Sequence, residues 1–380
     1  MKQVRYCTRC VMNDESDRTI KFDSEGHCDY CTTALSQINT TAYFPNEVGK
    51  EKLDVILNEI KTHNKDKKYD CVMGISGGLD SSYLAYLGHK WGLRILGVHI
   101  DDGFDTEISK GNIKRLCDAC DIELRTITPD PVQFYDLELA YMKAEVPALD
   151  IPQDNVLVAF LYETIKKENL KYFLSGSNFA LECILQRDNL FNQMDVVNIK
   201  DIHKKYGTQQ IDKLRFIDSY HKFMMEKSGT VVTYRLLNYV DYNRDRAFKE
   251  LSDFCGFEYY GSKHLENVLT AFIQLYWFPK KFHVDKRTSH LSSMIVSGQM
   301  TREEALAELE KPMYSEEMMN EYIQILKDKL GISDDEFDKI MNAETHQHEE
   351  FKTDKLGDVI HSVIDKKRKK KVDEMRAQND

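Results

Sequence analysis

The sequence predicts an α/β fold with a parallel five-stranded, Rossmann-like sheet, preceded by a cysteine-bearing module and followed by a helical extension. Three observations predict it. Between residues 46 and 260, short apolar runs alternate with helical stretches, the grammar of strand–crossover–strand units. Before them stand two Cys-x2-Cys pairs, Cys7 with Cys10 and Cys28 with Cys31. After them, residues 261–345 carry repeated helix start and stop signals.

In order, strands are expected at 69–75, 94–100, 122–127, 171–174 and 231–237. Helices are expected at 80–90, 107–117, 155–168 and 244–254. A sheet of this kind binds its ligand at the carboxyl ends of its strands. Further on, Thr301 with Glu304 forms a capping box, and the run it opens stops before Pro312. Ser315 caps the next helix, Gly331 ends it, and Ser333 with Glu336 opens another. Texture divides the chain into 1–45, 46–260, 261–345 and a charged tail, 346–380, that contains Lys366 to Lys371.

Bulk properties narrow the function. The 380 residues hold no apolar run long enough for a bilayer, and the first ten lack the apolar core of a secretory leader, so a cytoplasmic protein is expected. A net charge of −11 disfavours a nucleic-acid binder. The nine cysteines are read as metal ligands, catalytic thiols or core residues rather than disulfides.

The strongest chemical signal is Ser76-Gly77-Gly78-Leu79-Asp80-Ser81-Ser82, between an apolar strand and a helix. Two glycines let backbone approach an anion, and the N–H groups and dipole of a helix start favour phosphate. The hydroxyls of Ser76, Ser81 and Ser82 add donors, and Asp80 suits a Mg²⁺ ion bridging phosphates. No Gly-Lys-Ser/Thr follows, so this is not a Walker loop. The competing reading is a plain Gly-Gly turn with a polar cap.

Four thiolates in two knuckles suit tetrahedral Zn²⁺, a staple for a segment too small to build its own core. Iron in the same cage, or free thiols, are the alternatives. Cys117 and Cys120 have no second pair nearby and read as core cysteines or as a redox pair; Cys71 reads as core. Lys263, His264, Glu266, Lys280, Lys281, His283, Asp285, Lys286, Arg287 and His290 form a dense polar stretch interleaved with aromatics. Its cations either neutralise a leaving pyrophosphate or form a solvated face. His203, Lys204, Lys205 and Lys222 fall in an insertion that reads as a closing lid or as ordinary surface. The terminal lysine run reads as a solvated helix end or as a contact for an acidic surface.

The Ser76–Ser82 stretch resembles the PP-loop of the N-type ATP pyrophosphatases, which include asparagine, GMP and NAD synthetases, tRNA thiolases and lysidine synthetase. The resemblance implies the adenine nucleotide alpha hydrolase-like sheet, ATP, and a pyrophosphate grip by Ser76, Gly77, Gly78, Asp80, Ser81 and Ser82. It also implies that Val98, His99, Ile100 and Asp101 lie against adenine and ribose, and that Gly176, Ser177 and Asn178 form a second turn near the nucleotide. The second acidic pair usual after that turn is missing; Glu182 is the nearest carboxylate.

Together, CTRCVM, HCDYC, SGGLDSS, GSKHLENVLTAFIQ and DKRTSHLSSMIVSGQMTREEALAELEKPMY resemble the N-acetyl sugar amidotransferases of bacterial surface-polysaccharide and nonulosonic-acid pathways, over about 5–345. That resemblance implies conversion of a sugar acetamido group to an acetamidino group, with release of AMP and pyrophosphate. It implies catalytic roles for Asp80, Lys263, His264, Lys286 and Arg287. It further implies a separate glutaminase and a cyclase-like subunit conducting ammonia, since no glutaminase motif stands in this sequence. No membrane or nucleic-acid partner is expected. The rival enzyme is a tRNA thiolase, which needs a sulfur-handling thiol from Cys117, Cys120 or Cys183 and a basic RNA face. A nucleotide-sensing scaffold is the non-enzymatic alternative.

Overall fold

The computed structural model describes residues 4–261, 265–360, 362–364 and 366. Its sheet holds β1 (Cys71–Gly74), β2 (Ile95–Ile100), β3 (Glu123–Ile127), β4 (Tyr172–Leu174) and β5 (Val232–Tyr234). All neighbours run parallel, in the order β3-β2-β1-β4-β5. From β1, successive strands are added first on one side (β2, β3) and then on the other (β4, β5), so the crevice at the carboxyl ends of β1 and β4 is the topological switch point. The expected strands are present, each shorter at its ends than the apolar run that announced it.

Helix α1 (Asp29–Gln37) follows the second cysteine knuckle. Around the sheet lie α2 (Glu47–His63), α3 (Leu79–Lys90), α4 (Glu107–Cys120), α5 (Pro131–Lys143), α6 (Ile151–Lys167), α7 (Phe179–Glu182), α8 (Val196–Tyr206), α9 (Ser219–Lys227) and α10 (Arg244–Cys255). Beyond them come α11 (Val268–Phe272), a π-helical stretch (Ile273–Phe282), α12 (Arg287–Val296), α13 (Arg302–Glu310), α14 (Glu316–Leu330) and α15 (Asp334–Asn342).

The sheet is covered on both faces, which is why β1 reads as an unbroken apolar run. Cys71 and Met73 point into a core shared with α3, α4 and α10, while Val72 points into another with α6. A further core, around Phe272, Trp277 and Leu326, joins α5 to the C-terminal helices. Both expected capping boxes form, with Thr301 and Ser333 each exchanging bonds with the glutamate three residues on. Helix α6 begins at Ile151, earlier than its amphipathic run, because Pro152 fits a first helical turn. Helix α5 carried no clear period: Gln133, Phe134, Leu137, Glu138, Ala140, Tyr141 and Met142 are all buried, which spreads burial around its circumference.

The C-terminal region returns to the sheet. Asp105 and Asn267 form an antiparallel bridge, Val268 N–H donates to the Phe104 carbonyl (2.7 Å), and Thr106 N–H donates to that of Glu266 (3.0 Å). This strap carries Glu266 and Asn267 across the end of β2. The insertion after β4 is folded, with α8 against α5: His203 Nε2 lies 3.0 Å from Asp136, Lys205 pairs with Asp201 and Lys222 with Glu226. Among the described residues, no helix is long and apolar enough to cross a membrane.

Candidate active site

The loop from β1 to α3 sits at the switch point. Gly77 takes φ +78°, and a β-carbon there would stand 2.6 Å from the Ser109 carbonyl oxygen, so only glycine fits this turn against α4. Ser76 Oγ lies 3.0 Å from Ser81 Oγ and accepts the Gly78 N–H at 3.2 Å. No side chain of its own first turn caps α3. Instead, Leu79 N–H donates to the hydroxyl of Tyr260 at 2.8 Å. The turn after β4 closes on this loop: a β-carbon on Gly176 would stand 3.0 Å from the backbone nitrogen of Ser81. Asn178 shapes that turn by capping α7 through Leu181 N–H and donating to the Gly176 carbonyl.

Two cavities meet at these loops. The first, about 250 Å³, lies over the ends of β1, β2 and β4 and is lined by Val98, His99 and Ile100, with apolar walls from Val156, Leu157 and Leu161. Asp102, Gln153 and Asn267 form its polar side; burial pushes Asp102 up to about 6, and Asn267 Nδ2 donates to it at 3.2 Å. A cavity with apolar walls and fixed polar groups along one side suits a nucleoside. The second cavity, about 260 Å³, is lined by Ser76, Gly78, Asp80, Ser81 and Ser177, with Arg244 as its cation among the described residues. Both cavities share Ser76, Gly176 and Glu266. Glu266 lies on the glycine turn, so that a β-carbon on Gly78 would stand 2.5 Å from its Oε1. Three carboxylates therefore face the second cavity: Asp80, Glu182 and Glu266. Tyr242 donates its hydroxyl to Asp80, and Glu182 accepts from Ser177 Oγ at 3.0 Å.

Past Leu181 and Glu182, which line both, a third cavity of about 180 Å³ opens. Its walls include Gln186, Asp150, Phe278 and Lys286. The Lys286 amine stands 4.3 Å above the Phe278 ring; burial lowers its pKa, and Asp150 opposes that shift.

The sequence-predicted residues thus divide. Ser76, Gly78, Asp80, Ser81, Val98, His99, Ile100, Gly176 and Ser177 line the joined cavities; Gly77 and Asn178 shape the turns around them. Asp101 stands apart from Val98: its carboxylate closes a turn through Gly103 N–H, and it faces a depression with Lys110 and Cys117. Ser82 lies on the buried face of α3 and is fully buried. Arg287 clamps Asp285 (Nη2 to Oδ2, 2.9 Å) and donates to the carbonyls of Glu308, Leu309 and Lys311, which satisfies the end of α13. Lys281 likewise pairs with Glu145 and caps α15 through the Ile340 and Ala343 carbonyls. Lys263 and His264 lie outside the described residues, as does most of the lysine run. Tyr242, Arg244, Tyr260 and Gln186 were not singled out from sequence. Asn243-Arg244 does open a helix after a strand, the same grammar as the glycine loop.

The four N-terminal cysteines converge, all buried, with their sulfurs within 4.8 Å of one another. Sulfur separations of 3.8 Å (Cys7–Cys31), 3.5 Å (Cys10–Cys28) and 3.6 Å (Cys28–Cys31) match the edge of a tetrahedron around Zn²⁺, about 3.8 Å for Zn–S bonds of about 2.3 Å. The donor set fits zinc and leaves no open position. The module is bound to the rest of the chain: Arg302 donates to the Cys7 and Cys10 carbonyls, and Val11 N–H to Ser292 Oγ. Of the other thiols, Cys71, Cys117 and Cys120 are buried, and Cys183 and Cys255 half-buried. Burial pushes Cys117 up to about 11 and Cys120 and Cys183 up to about 12.

Residues 266–367 match the family described as "LPS biosynthesis protein WbpG-like, C-terminal domain". Over 317 residues, the chain is 21% identical to an uncharacterized protein of Methanocaldococcus jannaschii, covering 83% of this chain and 96% of that one. Among solved structures, it is similar to the NAD+ synthetase of Burkholderia pseudomallei (13% identity, 82% of this chain and 99% of that one, TM-score 0.39). It is also similar to the NH3-dependent NAD synthetase of Campylobacter jejuni (14%, 55% and 93%, TM-score 0.30). A third likeness is to the NMN synthetase of Francisella tularensis (17%, 62% and 94%, TM-score 0.29). Overlays at these scores carry no functional weight.

Proposed function

We propose that this chain is an ATP-dependent amidotransferase that converts a sugar acetamido group to an acetamidino group in the cytoplasm, for lipopolysaccharide synthesis. The observation that carries the reading is the junction of two cavities at the glycine loop. An adenosine-sized slot with apolar walls opens onto a helix start that no side chain of its own first turn caps, lined with hydroxyls, one arginine and three carboxylates. The family match of residues 266–367 supports the lipopolysaccharide setting.

An acetamide carbonyl is a poor electrophile because its nitrogen donates into it. In the proposed reaction the amide oxygen attacks the α-phosphorus of ATP, the O–P bond forms, and pyrophosphate leaves. Ammonia then adds to the imidate carbon, the bond to the AMP oxygen breaks, and an amidine results. Ser76, Ser81 and the first turn of α3 hold the leaving pyrophosphate, with Arg244 opposing its charge. Asp80, Glu182 and Glu266 are the carboxylates placed to hold Mg²⁺, whose charge would ease pyrophosphate departure. Lys286 Nζ, its pKa lowered by burial, takes the proton that the adding ammonia sheds. No protein nucleophile is required, so catalysis rests on positioning and electrostatics. Ammonia is supplied by a separate glutaminase through a cyclase-like subunit. The thiolase alternative lacks a supporting observation here, since burial holds Cys117, Cys120 and Cys183 as thiols.

The test is incubation with ATP, Mg²⁺, ammonium and a panel of acetamido sugars. Mass spectrometry should find a product with NH in place of oxygen, and AMP in equal amount. Absence of both AMP and sugar-dependent exchange of pyrophosphate into ATP across the panel would overturn the reading.

A further inference from the structure

A residue in the wall of the third cavity holds a buried polar atom that has no hydrogen-bond partner among the described residues. Gln186 is 1% exposed, and its Nε2 donates to the Asp285 carbonyl (3.1 Å) and to Thr288 Oγ1 (2.9 Å). A backbone carbonyl only accepts, so these contacts fix which end of the amide is nitrogen. The other end, Oε1, is buried and has no hydrogen-bond partner among the described residues, in a side chain that belongs to the cavity wall. An amide oxygen removed from water without a donor is unfavourable, and a ligand N–H would relieve it.

The rest of the cavity says what carries that N–H. Ile184, Leu185, Leu275 and Phe278 make its walls largely apolar. Two basic side chains, Lys286 and Arg287, and two carboxyls, Asp150 and Glu182, line it, so it holds no excess of positive charge to trap a second phosphate. A neutral donor beside a small apolar group is the matching chemistry. The cavity also adjoins the phosphate cavity through Leu181 and Glu182, which puts its occupant within reach of an activated phosphorus.

Gln186 is held from behind by the cysteine module. The next residue, Arg187, donates its backbone N–H (3.0 Å) and its Nε (2.9 Å) to the hydroxyl of Tyr30, which in turn donates to Asp17. Arg187 Nη2 reaches Asp29 at 2.6 Å, and Asp188 N–H reaches Asp17 at 3.4 Å. Tyr30 immediately precedes the ligand Cys31 and is itself buried.

We infer that the third cavity is the acceptor site, that Gln186 Oε1 accepts the N–H of a neutral acylamino group there, and that the cysteine module positions Gln186 through Tyr30. The choice of an acetamido sugar as occupant rests on the function proposed above. Gln186 is a binding residue, and Tyr30 a positioning one.

Saturation-transfer NMR on the acetamido methyl of N-acetylglucosamine and of UDP-N-acetylglucosamine tests this, using the full chain. The wild type should show methyl transfer with at least one probe, and none with glucosamine, which lacks the acyl group. Gln186→Met should weaken that binding about fivefold, the worth of one neutral hydrogen bond. Leu185→Trp, on the exposed rim, should block it without disturbing the buried network. Tyr30→Phe should weaken it while zinc content stays at the wild-type value. ATP affinity by calorimetry should be unchanged in all three variants. Absence of methyl transfer in the wild type, or undiminished transfer in Gln186→Met and Leu185→Trp, would overturn the site. Methyl transfer behaving as described, with no AMP formed when ATP and ammonium are added, would instead sink the amidotransferase reading and leave the site standing.

Discussion

The hydroxyl of Tyr260 accepts the N–H of Leu79 at 2.8 Å, which puts a phenol oxygen on the first turn of the helix that follows the glycine loop. An oxygen at that position does what a phosphate oxygen does. One of the loop's donors is therefore engaged by protein in this structure, while the first turn has no side-chain cap from its own residues.

Tyr260→Phe should leave the Leu79 N–H without its partner and cost the ligand-free protein about 1–3 kcal/mol. A nucleotide phosphate that reaches this N–H would restore the loss. Thermal unfolding with and without Mg-ATP checks it: the rise in Tm on adding nucleotide should be larger in the variant than in the wild type. Equal rises would mean that phosphate never reaches Leu79.

His99 gives a pH signature. Its Nδ1 lies 2.9 Å from the Ile75 carbonyl and its Nε2 3.0 Å from Asp105, so both ring nitrogens face acceptors, which favours the protonated ring. Burial pulls its pKa down, but the bond and charge of Asp105 outweigh burial, and the net shift is upward. The folded value therefore exceeds the unfolded value of about 6.5, so the stabilisation is complete below that pH and fades as pH rises through the folded value. The stability gap between wild type and His99→Gln, from urea unfolding, should be wider near pH ~6 than near pH ~9. A gap independent of pH would show that the ring is neutral.

Much of this geometry was legible in the sequence, for a physical reason. A two-faced strand, a glycine turn against backbone and a tetrahedral thiolate cage each demand particular residues at fixed spacing, as at Val72, Gly77 and Cys7. The expected lid illustrates the limit: His203 and Lys222 look the same in sequence whether they close on a ligand or pair with Asp136 and Glu226. Arg287 and Lys286, grouped on composition, both line the third cavity, yet Arg287 also satisfies carbonyls at the end of α13, which composition does not show. Tyr260 and Gln186 gave no signal, because their chemistry comes from partners far away in the chain: Leu79 for one, Asp285 and the cysteine module for the other.

Metal analysis should find zinc at the four cysteines, and its removal should be felt beyond them. Free zinc at a hundredfold excess over its Kd adds about 2.7 kcal/mol to the folded state. Chelation should therefore lower Tm and raise hydrogen exchange in α12 and α13, which hold the module through Ser292 and Arg302. Exchange confined to residues 4–45 would show that the module unfolds alone.

Asp80 separates charge from architecture. The Tyr242 hydroxyl donates to its Oδ1, and Tyr242 is itself 1% exposed. Asp80→Asn keeps a carbonyl oxygen for that hydroxyl and removes only the charge, so Tm should change by little. If the carboxylate holds Mg²⁺ against the leaving pyrophosphate, AMP formation should fall by about a hundredfold or more, several kcal/mol of lost charge stabilisation. Tyr242→Phe does the reverse: it keeps the charge, removes the hydroxyl donor, and should shift the Mg²⁺ concentration for half-maximal rate without abolishing turnover. Near-normal AMP formation by a well-folded Asp80→Asn protein would remove Asp80 from the metal site and leave Glu182 and Glu266 as its remaining carboxylates.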